Sequence, residues 1–300
     1  MSLPVRLSII VGVQHAQDNL PAILDALQPE ARSEVEIIIC HTPADPDVPT
    51  LVGNTGGVMV VCSPEGSLIP HLWRDGILAA SGERVGTTTA HCIPAADWVD
   101  ALLSADLGEA AVLGGTIEND PRADAKARAI FLQRYAAFSP PQRKREIVNP
   151  AADNALYRRS DLMRHRDLLQ RGFWEPSFHA RLRAEGLRLA LDPSLRVVHR
   201  NRYSAGQYMG QRLAHGREFG LARARARSFS RQLLLVLLAP GVFPLLLARI
   251  LRQAFGTPEL RKQLATAWLW LPWFVLAWAV GEASGYLAGL GTRKETPRID

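Results

Sequence analysis

The side chains able to do chemistry are few and scattered. Glu175 stands in the run Gly172-Phe173-Trp174-Glu175-Pro176, where an acid followed by proline marks a helix start. Such a carboxylate either takes a proton during a reaction or simply complements the helix dipole. Trp174 beside it either stacks on a sugar or lipid or belongs to the core. Asp153-Asn154 is a second polar pair, suited to a bound hydroxyl or to a plain turn. His41, His91 and His199 fall at the ends of apolar runs. His91 with His199 would make a soft metal site, and each alone is an ordinary hydrogen-bonding residue at a strand end. Cys40, Cys62 and Cys92 show no Cys-x-x-Cys spacing, which argues against a zinc site of that type. Their odd, low number also argues against a disulfide framework and fits a reducing compartment.

The elements that must position these groups alternate along the first two hundred residues. Residues 7–13 (LSIIVGV) form a short β-branched run, the pattern of a strand buried on both faces. Residues 35–40, 58–62 and 84–88 read as further strands. Asp18 and Asn19 cap a helix with Pro21 in its first turn. A second helix is expected from Ser67 through Leu72, Trp73, Ile77 and Ala80 until Gly82, and a third opening at Pro94 with Trp98, Leu102 and Leu103. This order predicts an α/β fold, a mostly parallel sheet flanked by helices. Ligands of such sheets bind at the carboxyl ends of strands, so the segments after Val13, Cys40 and Thr88 are where a site is expected.

The 300 residues are 47% hydrophobic and 21% charged, which excludes a disordered or collagen-like chain. The net charge of +6 is unevenly spread. Residues 196–231 hold nine arginines against one acid, Glu218. Residues 232–248 and 264–281 carry no charge, and the second run holds Trp268, Trp270, Trp273 and Trp278. No nucleic-acid motif accompanies the arginines, and a basic stretch before an apolar one suits anionic lipid better. The expected division is a catalytic-type domain over 1–200, a basic amphipathic linker helix over 201–231, membrane-associated helices over 232–291 and a polar tail over 292–300.

Neither apolar run reaches the roughly 20 residues of a comfortable span. The first is interrupted by Pro240-Gly241 and Pro244, the second by Pro272. Between them lie Arg249, Arg252, Arg261 and Lys262 against Glu259, with Arg231 before and Arg293-Lys294 after. Exporting that middle stretch breaks the positive-inside rule. Both runs are therefore expected to enter the membrane from one side as kinked or re-entrant helices. The N-terminal stretch has a charge inside its apolar run and lacks the pattern of a signal peptide. The expected location is the cytoplasmic face of the inner membrane.

In order and spacing, the runs LSIIVGV, EIII, DGILAASG, IPAADWVDAL, NALYRRSDL, GFWEPSFHARLRAEG and DPSLRVVH resemble the family 2 glycosyltransferases of the GT-A fold. The likeness covers nearly the whole chain, and the tail LAWAVGEASGYLAG resembles the membrane-proximal end of many bacterial members. It implies transfer of a sugar from a nucleotide diphosphate sugar to an acceptor, and the apolar tail, which would hold the site beside a lipid carrier, makes a lipid-linked or membrane-surface acceptor the expected class. It implies nucleotide-sugar contacts for Val13, His41, Asp45, Arg74, Thr89 and His91. Asp153, Asn154 and Trp174 are then expected to face the acceptor, with Glu175 as the base of an inverting reaction.

Two departures stand out. Of the acids usual after the second strand only Asp45 remains, and the metal-holding Asp-any-Asp motif is replaced by Thr89-Ala90-His91. Magnesium and manganese prefer oxygen ligands, so a divalent cation is poorly provided for. That leaves His91 with His199 as a softer pair, or Arg74 and Arg202 as fixed charges in a metal-free site. The missing carboxylates also suit a diverged, non-catalytic nucleotide-sugar-binding protein or membrane-complex subunit. The retained Glu175 and His199 suit an enzyme.

Overall fold

The computed structural model describes residues 4–292. It forms two compact units. One takes the chain up to Pro121 together with Phe138–Arg202, and the other takes Arg122–Ala137 together with the chain from Tyr203.

The first unit is built on one sheet. Its strands are β1 (Leu7–Gly12), β2 (Val35–His41), β3 (Val58–Cys62), β4 (Arg84–Thr89), β5 (Cys92–Pro94), β6 (Ala110–Asn119), β7 (Arg145–Glu146), β8 (Asn154–Arg158) and β9 (Arg188–His199). They lie in the order β3-β2-β1-β4-β8-β6-β9-β5, with β7 also pairing β9. The first four are parallel, β8 runs against both β4 and β6, and β6 is parallel to β9. Every residue of β1 is buried. Ile9, Ile10 and Val11 suit a strand covered on both faces, and each fully buried aliphatic side chain contributes about 1.5–3 kcal/mol.

Helices α1 (Leu20–Leu27), α2 (Val48–Val52), α3 (Ile69–Ala79) and α4 (Trp98–Ser104) connect the early strands. Helix α5 (Ala125–Tyr135) belongs to the second unit, and α6 (Arg159–Arg164), α7 (Arg166–Leu169) and α8 (Glu175–Ala184) return to the first. Three expected boundaries move. Helix α3 starts at Ile69, because His71 Nδ1 accepts the Leu68 N–H at 3.0 Å and closes the first turn there. Pro94 opens no helix. It ends β5, opposite Val197 of β9, and α4 begins only at Trp98. Gly82 is not the helix stop either. It leads into β4, where an added Cβ would meet Ser8 N at 2.8 Å.

The second unit holds α5 with α9 (Ala205–Arg225), α10 (Phe229–Leu238), α11 (Val242–Phe255), α12 (Pro258–Ala267) and α13 (Leu271–Gly289). The helix expected as a linker over 201–231 is α9, which ends at Arg225 and packs along α13. Small residues recur every fourth position on both, namely Gly216, Gly220 and Ala224 against Gly281, Gly285 and Gly289. They allow the backbones to approach closely. A methyl at Gly216 would sit 2.5 Å from Trp278 O and 2.9 Å from Glu282 N. Glu282 is buried in this seam and is satisfied by Trp278 Nε1–H at 2.9 Å, by the Tyr286 hydroxyl and by Arg223 at 3.4 Å. Arg212, part of the basic run, is likewise buried, over the rings of Tyr208 and Trp278.

The apolar runs differ from expectation in length and in where they bend. Phe229–Phe255 is a 27-residue helical stretch, long and apolar enough to cross a membrane by length and composition. Pro240 falls in a single 3-10 turn, and Pro244 falls in the first turn of α11, where a missing N–H costs little. The second run bends by 83° between α12 and α13, and Pro272 lies just after the bend. Arg293-Lys294 and the rest of the expected tail beyond Thr292 lie outside the described residues.

Candidate active site

The carboxyl ends of β1 and β4 lie side by side, with Gly12 opposite Thr89. Beyond them the chain is stapled by His91. Its Nδ1 accepts the backbone N–H of Arg202 at 3.2 Å, so the ring proton is on Nε2, which donates to Gln14 O at 3.0 Å. Asn19 completes the bracket. Its side-chain amide donates to Ala90 O at 2.8 Å and Arg200 O at 3.1 Å, and its Oδ1 accepts Nε–H of Arg202 at 2.8 Å. Asn19 is 1% exposed, while Arg202 is exposed. Val13 is buried and donates its N–H to Cys40 O at 2.8 Å.

At the end of β2, His41 is buried, with Nδ1 against Thr42 O at 3.0 Å and Asp45 O at 3.2 Å. That ring holds its own loop together. Asp45 is buried too and accepts the His15 N–H at 3.0 Å. His15 has φ +56°, a left-handed conformation that costs a residue with a Cβ about 1–2 kcal/mol. Asp45 thus fixes the loop after β1.

The carboxylates gather around β8 and α8. Thr89 Oγ1 donates to Asp153 Oδ1 at 3.4 Å, both buried. Glu175 is the first residue of α8 and is half-buried. Tyr157 of β8 is fully buried, and burial raises its proton affinity well above the ordinary tyrosine value. The negative charges of Glu175 and then Asp153 raise it further, so both carboxylates act on one hydroxyl. That hydroxyl pairs with His179 Nε2 at 3.1 Å, and His179 Nδ1 meets Asn149 Oδ1 at 2.5 Å. Trp174 is half-buried, donates Nε1–H to Arg171 O at 2.8 Å and meets the His71 ring edge-on at 6.1 Å between centroids. Gly172, at φ +103°, permits the turn that precedes them.

Some expected members are held elsewhere. Asn154 is 0% exposed. It accepts Trp98 Nε1–H at 2.9 Å and donates to Thr116 O at 2.9 Å and Leu195 O at 3.0 Å. It braces β8 against β6 and β9 and has no face toward an acceptor. His91 and His199 have ring centroids 6.3 Å apart, and both nitrogens of His91 are engaged as above. Among the described residues no three His, Cys, Asp or Glu side chains converge on a metal position. Arg74 is neutralised by Asp75 at 2.7 Å. Tyr157, His179 and Asn19 are the additions. The i, i+4 spacing of Glu175 and His179 on one helix was a legible signal for His179.

No family model and no curated protein matches the sequence. Among solved structures, the chain is similar to the mannosyltransferase PcManGT from Pyrobaculum calidifontis, solved in complex with GDP-Man and Mn2+. The TM-score is 0.56 at 16% identity, covering 93% of this chain and 89% of that one. A second similar structure is glucosyl-3-phosphoglycerate synthase from Mycobacterium tuberculosis, solved with Mn2+, UDP and glucosyl-3-phosphoglycerate. Its TM-score is 0.47 at 15% identity, over 71% of this chain and 78% of that one. With its sheet order, the first likeness makes this chain's architecture that of the GT-A glycosyltransferase fold, a mixed α/β sheet, mostly parallel and flanked by helices.

Proposed function

We propose that the protein transfers a sugar from a nucleotide diphosphate sugar to a lipid-linked or membrane-surface acceptor, as an inverting enzyme of the family 2 type. The observation that carries this reading is the fold shared with a mannosyltransferase over 93% of the chain. The position of Glu175 supports the chemistry, since a half-buried carboxylate at a helix start can receive a proton. The acceptor oxygen attacks the anomeric carbon and gives its proton to Glu175. The bond from that carbon to the phosphate oxygen breaks, and its electron pair leaves with the nucleoside diphosphate. Asp153 and Trp174 are assigned to the acceptor side. Asp45, Thr89 and the loop after Val13 are assigned to the donor side.

A second reading, a nucleotide-sugar-binding protein without turnover, is favoured by Thr89 and His91 standing where carboxylates are usual. A panel of nucleotide sugars, offered with detergent-extracted membrane lipids as acceptor, separates the two. The enzyme reading expects release of nucleoside diphosphate from one donor. Binding of a donor without release leaves only the second reading.

The second unit is assigned to the membrane surface. Helices α10 and α11 pack their inner side on α9, α13 and α5, while Leu234, Leu237, Leu238, Leu245 and Phe255 point outward, each more than half exposed. Helix α12, which follows directly, packs on α5 through Arg128 and Thr266 at 3.0 Å. Both ends of the 27-residue stretch are therefore tied to one compact unit. This favours a helix lying in the interface on anionic lipid over a simple crossing.

A further inference from the structure

The GT-A neighbour described above holds manganese, and this chain's residues do not suit that ion. Magnesium and manganese need several oxygen donors. The place in question offers Thr89, whose hydroxyl is given to Asp153, and His91, whose two nitrogens are bonded to Arg202 N–H and Gln14 O. His91 has become a bracket between the loop after β1 and the exit of β9.

That bracket holds a cation. The backbone of Arg202 is tied to His91, and its Nε–H to the buried Oδ1 of Asn19 at 2.8 Å. The two terminal amines of the guanidinium have no partner among the described residues. Its neighbours differ in this respect. Arg200 is paired with Asp120 at 3.1 Å, and Arg74 with Asp75 at 2.7 Å. Arg202 is held by a neutral amide, so its charge is uncancelled while its position is fixed. It stands where the exit of β9 meets the carboxyl ends of β1 and β4, the edge at which such sheets bind phosphates.

We propose that Arg202 replaces the divalent cation and binds the diphosphate of the donor through the paired amines of its guanidinium. A planar fork of two parallel N–H donors matches two phosphate oxygens, and a lysine ammonium does not reproduce it. As the sugar–phosphate bond breaks, charge accumulates on those oxygens, and a fixed cation stabilises it without a metal. The proposal rests on the donor-binding reading above.

The test is calorimetric titration of the whole protein with UDP and with GDP, in chelator and in manganese. Wild type, Arg202→Ala, Arg202→Lys and Asn19→Ala are compared, and the unfolding midpoint of each is recorded. The expected result is binding of one diphosphate in chelator, little changed by manganese. Loss of a charged hydrogen-bonded pair weakens binding by about 10- to 100-fold, expected for Arg202→Ala, with Arg202→Lys in between. Asn19→Ala should weaken binding less, because the cation remains but is no longer fixed. Binding seen only with manganese overturns the proposal and leaves sugar transfer standing. Unchanged binding by a folded Arg202→Ala protein overturns it too. No binding of either diphosphate under any condition removes the donor-binding reading and this proposal together.

Discussion

The Tyr157 hydroxyl donates to Nε2 of His179 over 3.1 Å, deep in the first unit, beside the carboxylate assigned to catalysis. Asn149 Oδ1 fixes the proton of His179 on Nδ1, so Nε2 is the acceptor and the ring is neutral. Burial, and secondarily the charge of Arg183, lower the proton affinity of this imidazole from 6.5 to about 3. Between those values the unfolded chain binds a proton that the folded chain does not. The contribution of His179 is therefore complete above about pH 6.5 and declines as pH falls toward 3, by at most about 1.4 kcal/mol per pH unit. Urea unfolding of wild type and His179→Gln at pH 7, 6 and 5 should show the wild type losing more stability on acidification. Parallel curves would mean that the imidazole is solvated.

Asn154 and Asp153 are neighbours in sequence with different duties. Truncating Asn154 to Ala strands Trp98 Nε1–H and removes a donor from Thr116 O and from Leu195 O, the latter keeping the Thr116 hydroxyl at 3.3 Å. Each buried group left unsatisfied costs about 1–3 kcal/mol. Asn154→Ala should lower the unfolding free energy from urea titration by at least that much and leave acceptor KM unchanged while the protein is folded. Asp153→Asn should do the reverse, raising acceptor KM with a small stability change.

The close seam of α9 and α13 makes a paired prediction. At Gly220 an added methyl would fall on the Glu282 carbonyl, whereas Gly206, in the first turn of the same helix, has nothing within 4 Å. Gly220→Ala should destabilise the protein by about 1–3 kcal/mol through overpacking. Gly206→Ala should be neutral or slightly stabilising, because alanine is the better helix former. Thermal unfolding of the two variants checks the contrast, and equal midpoints would contradict the seam.

What could be read from the sequence follows from how local its physics is. Strands β1, β2 and β3 were legible because each is an apolar run rich in β-branched residues, and β4 because its valine and three threonines are β-branched. Pro94 misled because a proline at the end of a strand and one at the start of a helix look alike in sequence. The membership of α5 in the second unit was hidden, since its partners, Thr266 and Phe274, lie far along the chain. Of the site, Glu175 was legible from its Trp-Glu-Pro setting and from the resemblance. The bracket of Asn19, His91 and Arg202 was not, because Asn19 and Arg202 meet across 183 residues and a capping role already accounted for the asparagine. The pairing of Arg200 with Asp120, which singles out Arg202, is equally non-local.

Membrane attachment is tested by thiol labelling in a Cys62→Ser background, since Cys62 is exposed and Cys40 and Cys92 are buried. Cysteines placed at Thr257, at the start of α12, and at Thr292 should both resist an impermeant reagent in intact cells and both react after permeabilisation. Ready labelling at Thr257 alone would mean that Phe229–Phe255 crosses the membrane.

The central claim is sugar transfer with Glu175 as the proton acceptor, and Glu175→Gln tests it most directly because shape is kept and the base is removed. With the donor identified by the nucleotide-sugar panel and lipid extract as acceptor, the rate of nucleoside diphosphate release is measured for both proteins. Donor affinity is measured in parallel by calorimetry. The account predicts a fall in rate of about 100-fold or more at unchanged donor affinity and unchanged unfolding midpoint. A Glu175→Gln protein that turns over at the wild-type rate would contradict it.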